Sequence, residues 1–489
     1  MERLGTQAVG TLSARVAVPN YLDDPNLRIG IVHFGVGNFH RSHQAMYLDR
    51  LFNAGLARDW AICGVGLLER DARMRDALGS QDHLYTLTLR QPDGTNDFAV
   101  IGSIRRFLHA PDDPAAVLDQ LVSPDVRIVS LTVTEGGYVS DPTNGRLAEN
   151  DPLVAEEVAS GLSRPRTAFG WITAALRERR QRGIAPFAVM SCDNIQGNGR
   201  VARMSVEGVA RLADPELADW IAAEVAFPST MVDRITPVTT QADVDRVAAE
   251  LGVEDAWPVA SEPFTQWVIE DDFPSGRPPF EKAGATLVRD IDPYEAIKLR
   301  LLNGSHQALA YIGQLMGYQY VHEACSDPRI AAHVRAYMEQ EAVPTLAVPA
   351  GFDIPAYIDE LFVRFGNPHV QDYLARLSVD ASNRIPKFLV PVLAERAAAG
   401  APCTLGASIL ATWRAWCRGA GAGLFTMDDE SAGRLIQAAV RAPREFLRRV
   451  PALSQFLDYP DFVEAFTLAA DVLELEGPSA LVSPRLTRG

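Results

Sequence analysis

The run Leu27-Arg28-Ile29-Gly30-Ile31-Val32-His33-Phe34 is short and mostly apolar, and it leads directly into Gly35-Val36-Gly37-Asn38-Phe39-His40-Arg41. The residues after that, through Leu51 and Phe52, recur at helical spacing. A buried strand, a glycine turn and a helix in that order restrict the fold more than any other feature of the chain. They open a βαβ unit of the dinucleotide-binding kind. Gly35 permits a tight turn. Gly37 lets backbone N–H groups approach a pyrophosphate, and the helix N-terminus adds partial positive charge. Gly35, Gly37, Asn38, Phe39, His40 and Arg41 are therefore the candidate cofactor contacts. His40 occupies the third glycine position of G-x-G-x-x-G, so helix and strand are expected to pack less closely there.

A G-x-G turn alone is weak, and the next strand supports it. Trp60–Leu68 ends at Glu69, an acid placed to accept from the ribose hydroxyls of NAD and to repel a 2′-phosphate. Asp71 is a second candidate, and Arg70 and Arg73 soften any exclusion of NADP. A strand pair is expected at His83–Arg90 and Phe98–Phe107. Val126–Val133 reads as a buried strand ending in Thr134-Glu135-Gly136-Gly137-Tyr138, and Ala185–Cys192 as another ending in Asp193-Asn194. Ligands of open α/β sheets lie beyond such strand ends. Asn194 could offer an amide donor there, although turn chemistry favours Asp, Asn and Gly in any case. Helices are expected over 150–182 and 212–226. Asp233-Arg234 reads either as a structural ion pair or as a site wall.

The run Asp271–Pro279 marks a change of character. Before it strands alternate with helices, and after it almost everything reads as helix. The expected organisation is a Rossmann-type α/β domain over 1–290 and a mostly α-helical domain over 291–489. The second opens with D-P-Y-E-A-I-K-L-R-L-L-N-G-S-H-Q-A-L-A-Y-I-G, residues 292–313. Asp292 suits an N-cap, Pro293 the first turn and Glu295 a capping box. One helix over 294–315 is expected. Glu295, Lys298, Asn303 and His306 interrupt its apolar pattern and would share an arc of roughly 140° at about 100° per residue. A lysine taken out of water becomes a base near neutral pH. An asparagine N–H can stabilise an oxygen gaining charge, and a histidine can orient substrate or relay a proton. The alternative is an amphipathic helix with Lys298 and Arg300 on its solvated side. Further helices are expected at 327–340, 354–364, 370–377, 384–399, 404–419, 428–440, 442–456 and 460–475. Arg376 could fork onto substrate hydroxyls, and Arg384 and Lys387 could contact an anionic cofactor; solvated helix ends are the plain alternative.

The net charge of -16 argues against nucleic acid and anionic membranes as partners. Five cysteines without a C-x-x-C pair fit a reduced, cytoplasmic protein. No signal peptide or spanning segment is read. His40 and His43 lie on the helix facing phosphate, and His322 and His333 lack a partner at ligand spacing, so no metal site is expected.

Six motifs then stand together: G-V-G-N-F-H-R at 35–41, T-E-G-G-Y at 134–138, S-C-D-N at 191–194, F-P-S-T-M-V-D-R-I-T-P at 227–237, K-L-R-L-L-N-G-S-H at 298–306 and S-N-R-I-P-K-F at 382–388. With these the chain resembles the polyol-specific long-chain dehydrogenases, the mannitol dehydrogenase family, over nearly its whole extent. His40 in place of the third glycine is usual in that family. The resemblance implies a site between two domains and metal-independent, NAD-dependent oxidation of a polyol, D-mannitol to D-fructose first. Lys298 would be the general base and Asn194 and Asn303 the oxyanion pocket. His306 would orient substrate and lysine, Glu295 would gate proton exchange with solvent, and Asp233 and Arg376 would position substrate. A fructuronate or tagaturonate reductase and a sorbitol or arabinitol dehydrogenase are the near alternatives. A cofactor-binding sensor and a Schiff-base lyase are the distant ones. A monomer or small homo-oligomer is expected.

Overall fold

The computed structural model describes residues 1–12, 14–139 and 147–482. These form two compact units, Met1–Ile291 and Asp292–Gly489.

The first unit is built on five parallel strands: β1 (Ile29–Phe34), β2 (Ala61–Gly66), β3 (Ile104–His109), β4 (Ile128–Leu131) and β5 (Ala188–Ser191). Their order across the sheet is β3-β2-β1-β4-β5. That is the order of a Rossmann sheet, with its switch point between β1 and β4. Alternation along the strands sends side chains to both faces. Val32, Phe34, Cys63, Val65, Val129 and Leu131 face one core, with Phe169, Ile172 and Leu176 of the helix Ala168–Arg182. Ile31, Ile62 and Ile128 face another, with Leu48, Leu51 and Trp267. Both faces are covered, as a parallel sheet requires.

Two three-stranded sheets and a short two-stranded one, Glu2–Arg3 with Val253–Glu254, accompany it. Tyr85–Arg90 pairs with Asn96–Ile101 and Val259–Ser261, and Gln266–Glu270 pairs with Thr230–Asp233 and Thr286–Val288. The single strand expected at Phe98–Phe107 is in fact two. The chain turns at Gly102-Ser103, where the Gly102 N–H donates to Asp49 at 3.0 Å, and passes from a small sheet into β3. The helix expected at 212–226 runs over Pro215–Glu224, capped by Asp214, and it is preceded by a helix that was not expected, Asn198–Ala213. The helical stretch 150–182 breaks between Ala159 and Ala168.

The second unit is helical around one core, in which Thr404–Gly421 packs against Gly304–Leu315 and Pro460–Leu475. The span 384–399 is broken at Leu389 between Ala381–Phe388 and Val390–Ala398, because Pro386 and Pro391 remove two helical N–H donors. The span 370–377 is helical only over Leu374–Leu377. No helix among the described residues is long and apolar enough to cross a membrane.

Candidate functional site

The turn after β1 stands at the switch point. Gly35 has φ +91°, and a Cβ there would lie 2.2 Å from the Thr132 carbonyl oxygen. Only glycine fits. Thr132, just beyond β4, donates to the Gly35 carbonyl at 2.7 Å, so the ends of β1 and β4 are tied together. Gly37 differs. Its φ of −103° suits any residue, and a Cβ would meet nothing closer than the Gly35 oxygen at 3.8 Å. The space over Gly37 is open, which is what a close backbone approach to a dinucleotide needs.

Asn38 holds the turn from the other side, donating to Pro237 O at 3.1 Å and Thr239 Oγ1 at 3.0 Å. The side chains of His40 and Arg41 run inward. His40 stacks on His33 of β1, ring centroids 3.4 Å apart. The ring pair fills the space that a third glycine would leave, so the looser helix–strand contact expected there is packed with imidazole. Burial drives His33 down to about 3 and His40 well below the usual histidine range, so both are neutral. Arg41 donates to Trp257 O and, at 2.8 Å, to Asn38 Oδ1, beside the faces of Tyr85 and Trp257. Phe39 is half-buried, stacked on His43 at 4.9 Å. His40 and Arg41, expected as cofactor contacts, thus spend their side chains inside the unit. The residues of this turn that keep exposed surface are Gly35, Gly37, Asn38 and Phe39.

Beyond β2, Glu69 is exposed. Asp71 turns its carboxylate onto the N–H groups of Leu67 and Leu68, both at 2.9 Å, and shapes the loop that presents Glu69. Beyond β5, Asn194 is exposed at the apex of a tight turn closed by Ile195 N–H to Asp193 O at 2.8 Å. Asp233 is buried at the end of its strand, paired in register with Gln266. Its neighbour Arg234 points into the fold, donating to the carbonyls of Ser42 and Glu262.

In the second unit the helix expected to run unbroken is interrupted. α1 (Asp292–Ile297) passes into a π-helical segment, Lys298–Asn303, and then into α2 (Gly304–Leu315). Asp292 is the first helical residue rather than the residue before it. A π segment bonds i to i+5, and such segments are rare and frequent at functional sites. Here it begins at Lys298 and ends at Asn303. On an α-helix residues five apart diverge by about 140°. In an i→i+5 ladder they stand about one turn apart. The two edges of the expected arc are thus drawn onto one face.

Lys298 is 7% exposed, Glu295 5% and His306 7%, so none lies on a solvated side. Arg300 lies elsewhere on the segment, forked onto Glu395 at 2.6 and 2.8 Å and bonded to Thr345 O. The Oδ1 end of the Asn303 amide is buried without a hydrogen-bond partner among the described residues. Such an atom is costly unless something else pairs with it. The His306 ring packs on Phe365 at 5.0 Å. Arg376 forks onto Asp372, two bonds of 2.6 Å, instead of standing ready for a substrate. Arg384 is half-buried and donates to the carbonyls of Arg376 and Leu377, and Lys387 is exposed. Among the described residues no group of three His, Cys, Asp or Glu is placed to hold a metal ion.

A parallel sheet in Rossmann order, with an open glycine turn at its switch point and an exposed acid after its second strand, defines a dinucleotide-binding unit. Residues 29–282 match the model of the mannitol dehydrogenase Rossmann domain, and residues 290–473 that of the mannitol dehydrogenase C-terminal domain. The chain belongs to the mannitol dehydrogenase family. It is 46% identical over 435 residues to the mannitol 2-dehydrogenase of Aspergillus terreus, covering 88% of this chain and 86% of that one. It is 41% identical over 458 residues to that of Pyricularia oryzae, covering 91% of each. Among solved structures it resembles Pseudomonas fluorescens mannitol 2-dehydrogenase in ternary complex with NAD and D-mannitol, with TM-score 0.87, 41% identity and all of both chains covered. It also resembles a substrate-free D-sorbitol dehydrogenase, with TM-score 0.91, 34% identity and 99% and 100% covered.

Proposed function

We propose that this chain is an NAD-dependent mannitol 2-dehydrogenase, interconverting D-mannitol and D-fructose, with Lys298 rather than a metal as the base. The observation that carries the reading is Lys298 itself: a buried lysine opening a π turn that ends at Asn303, in a chain matching this family from both units. The bound nicotinamide supplies the acceptor for the hydride of the carbinol carbon. Backbone groups at Gly35 and Gly37, with Asn38 and Phe39, would hold the dinucleotide, and Glu69 would accept from its ribose hydroxyls. Arg384 and Lys387 would meet its negative charge.

Lys298, unprotonated, takes the hydroxyl proton as the carbon is oxidised. Asn194 and Asn303 donate N–H to the oxygen as it gains negative charge; one such donor is typically worth ~10²–10³ in rate. His306 orients the substrate and the lysine, Glu295 passes the captured proton towards solvent, and Asp233 and Arg376 fix the remaining hydroxyls. Arg376 would have to share its guanidinium with Asp372 to do so. Five free, buried cysteines suit a reducing, cytoplasmic setting. Oxidation of sorbitol is the second reading, favoured by the TM-score of 0.91 to the sorbitol dehydrogenase.

An absorbance assay of NADH oxidation against fructose, fructuronate, tagaturonate and xylulose, with NAD reduction by mannitol, sorbitol and arabinitol, tests the proposal. Fructose and mannitol should be the fastest pair. Turnover of fructuronate with none of fructose would overturn the reading, and a faster rate with sorbitol than with mannitol would transfer it to the second.

A further inference from the structure

We propose that Asp193 is a positioning residue for the reaction, whose carboxylate locks the turn after β4 to the loop after β5 and so fixes where the Asn194 amide points. The inference rests on the assignment of Asn194 as a donor to the reacting oxygen.

The two strands are neighbours, with Leu131 opposite Ser191, so their carboxyl ends emerge side by side. Asp193 is buried between the segments that leave them. Its carboxylate accepts the Thr134 N–H at 2.7 Å, the Val133 N–H at 3.2 Å and the Tyr138 hydroxyl at 2.9 Å. The Tyr138 hydroxyl also lies 2.5 Å from Ser191 Oγ, at the end of β5. The main chain of Asp193 is held as firmly. Its carbonyl accepts from Ile195 N–H and from Asn198 Nδ2 at 2.9 Å, and Asn198 in turn exchanges two bonds with the backbone of Thr230. Asn194 is therefore the exposed apex of a turn whose preceding residue is fixed at both its side chain and its carbonyl.

What the carboxylate holds is strained. Thr134 has φ 65° and ψ 168°, a region almost confined to glycine, and Val139 at the far end of the same turn is left-handed at φ 47°. β-Branched residues keep such conformations only where the surroundings over-determine them, and they gather at functional sites. The two N–H groups that Asp193 receives belong to the peptides on either side of Val133, and the second is that of the strained Thr134 itself. Burial raises the carboxyl pKa while these donors oppose it. Replacing the carboxylate would release the turn and the Asn194 apex together.

The experiment compares Asp193→Asn, Asn194→Ala, the double variant and Tyr138→Phe in the full chain, measuring kcat and KM for mannitol oxidation with melting midpoints. Misplacement of a reacting geometry by about 1 Å costs roughly 10²-fold. Asp193→Asn should accordingly lower kcat ~10–100-fold while KM for mannitol moves less than about threefold, the signature of an interaction made in the transition state. Because Asp193 acts through Asn194, the double variant should turn over within about twofold of Asn194→Ala alone. Tyr138→Phe removes one donor and should lower kcat by about three- to tenfold, which keeps the test decisive if Asp193→Asn does not fold. A kcat for Asp193→Asn or Tyr138→Phe within twofold of native would overturn the inference, as would fully multiplicative losses in the double variant. If Asp193→Asn is silent while Asn194→Ala is slow, this inference alone fails. If Asn194→Ala is silent, the oxyanion assignment falls and this inference with it.

Discussion

In the first unit Gly35, Asn38 and Asn194 stand on turns beyond strand ends. Each turn is tied by side chains that reach across it: Thr132 onto Gly35, Asn38 onto Pro237, and Asp193 onto Val133 and Thr134. In the second unit Lys298 and Asn303 stand on a helix, and what relates them is the spacing of its hydrogen-bond ladder. A turn is held by a few identifiable bonds, so one substitution next to it can loosen it. A ladder is held cooperatively along its span, so the side chains it carries can be changed with little effect on its path. The first arrangement should couple function to stability residue by residue, and the second should separate them.

The largest effect is expected where the separation should be cleanest. Lys298→Ala should lower kcat at least ~10³-fold, while NADH affinity by fluorescence titration and the melting midpoint stay near native. A collapsed melting midpoint would erase the contrast between ladder and turn, and unchanged turnover would remove Lys298 from the chemistry. Asn303→Ala should cost about 10²-fold in kcat, again with a small change in stability because its buried Oδ1 has no partner to lose among the described residues. Two glycines test the turn. Gly35→Ala should destabilise by more than about 3 kcal/mol in denaturant unfolding, since its Cβ meets the Thr132 carbonyl at 2.2 Å. Gly37→Ala should change stability by less than about 1 kcal/mol yet weaken NADH binding roughly tenfold, because the methyl group enters only the open space. Equal effects from the two would show that this turn does not divide support from binding.

The smallest effect on turnover is expected at a second π segment, Tyr337–Ala342, which bears none of the proposed site groups. Its Glu341 accepts the N–H groups of Leu405 and Gly406, both at 2.8 Å, and burial pushes its carboxyl from 4.5 up to about 7. The folded protein then holds a proton that the unfolded chain has released between those values. Its stabilising contribution is complete below pH 4.5 and is lost as pH rises through about 7, by at most about 3 kcal/mol. Glu341→Gln should remove that slope from unfolding curves measured across the window and leave kcat near native. A loss of turnover would tie the second π segment to the first.

Much of the first unit was legible because its signals are local. The β1 run, the G-x-G turn and the acid after β2 each declare themselves by residue type. Asn198–Ala213 was missed although Ala202, Val206, Val209 and Ala210 line its buried face. The turn chemistry of Asp193–Gly199 masked where it begins. The break at Gly102 depends on Asp49, far away in the chain, and so does the inward course of Arg41, which Trp257 and Tyr85 receive. Asp193 and Asn198 were missed as supports because an acid and an amide beside a turn look the same whether they serve the turn or a neighbour. In the second unit the residue types at 298–306 were legible but the angle between them was not. The apolar pattern of a π turn within a helix differs too little from a 3.6-residue repeat to show.

The widened ladder has a further consequence for how this pair is spelled. With one residue fewer between them, Lys298 and Asn303 would be four apart, about 40° from alignment on an undistorted α-helix. Deleting the buried Leu302 would therefore keep the amine over the amide while abolishing the wide turn. What such a shortened protein gains or loses would measure the backbone distortion itself, apart from the side chains mounted on it.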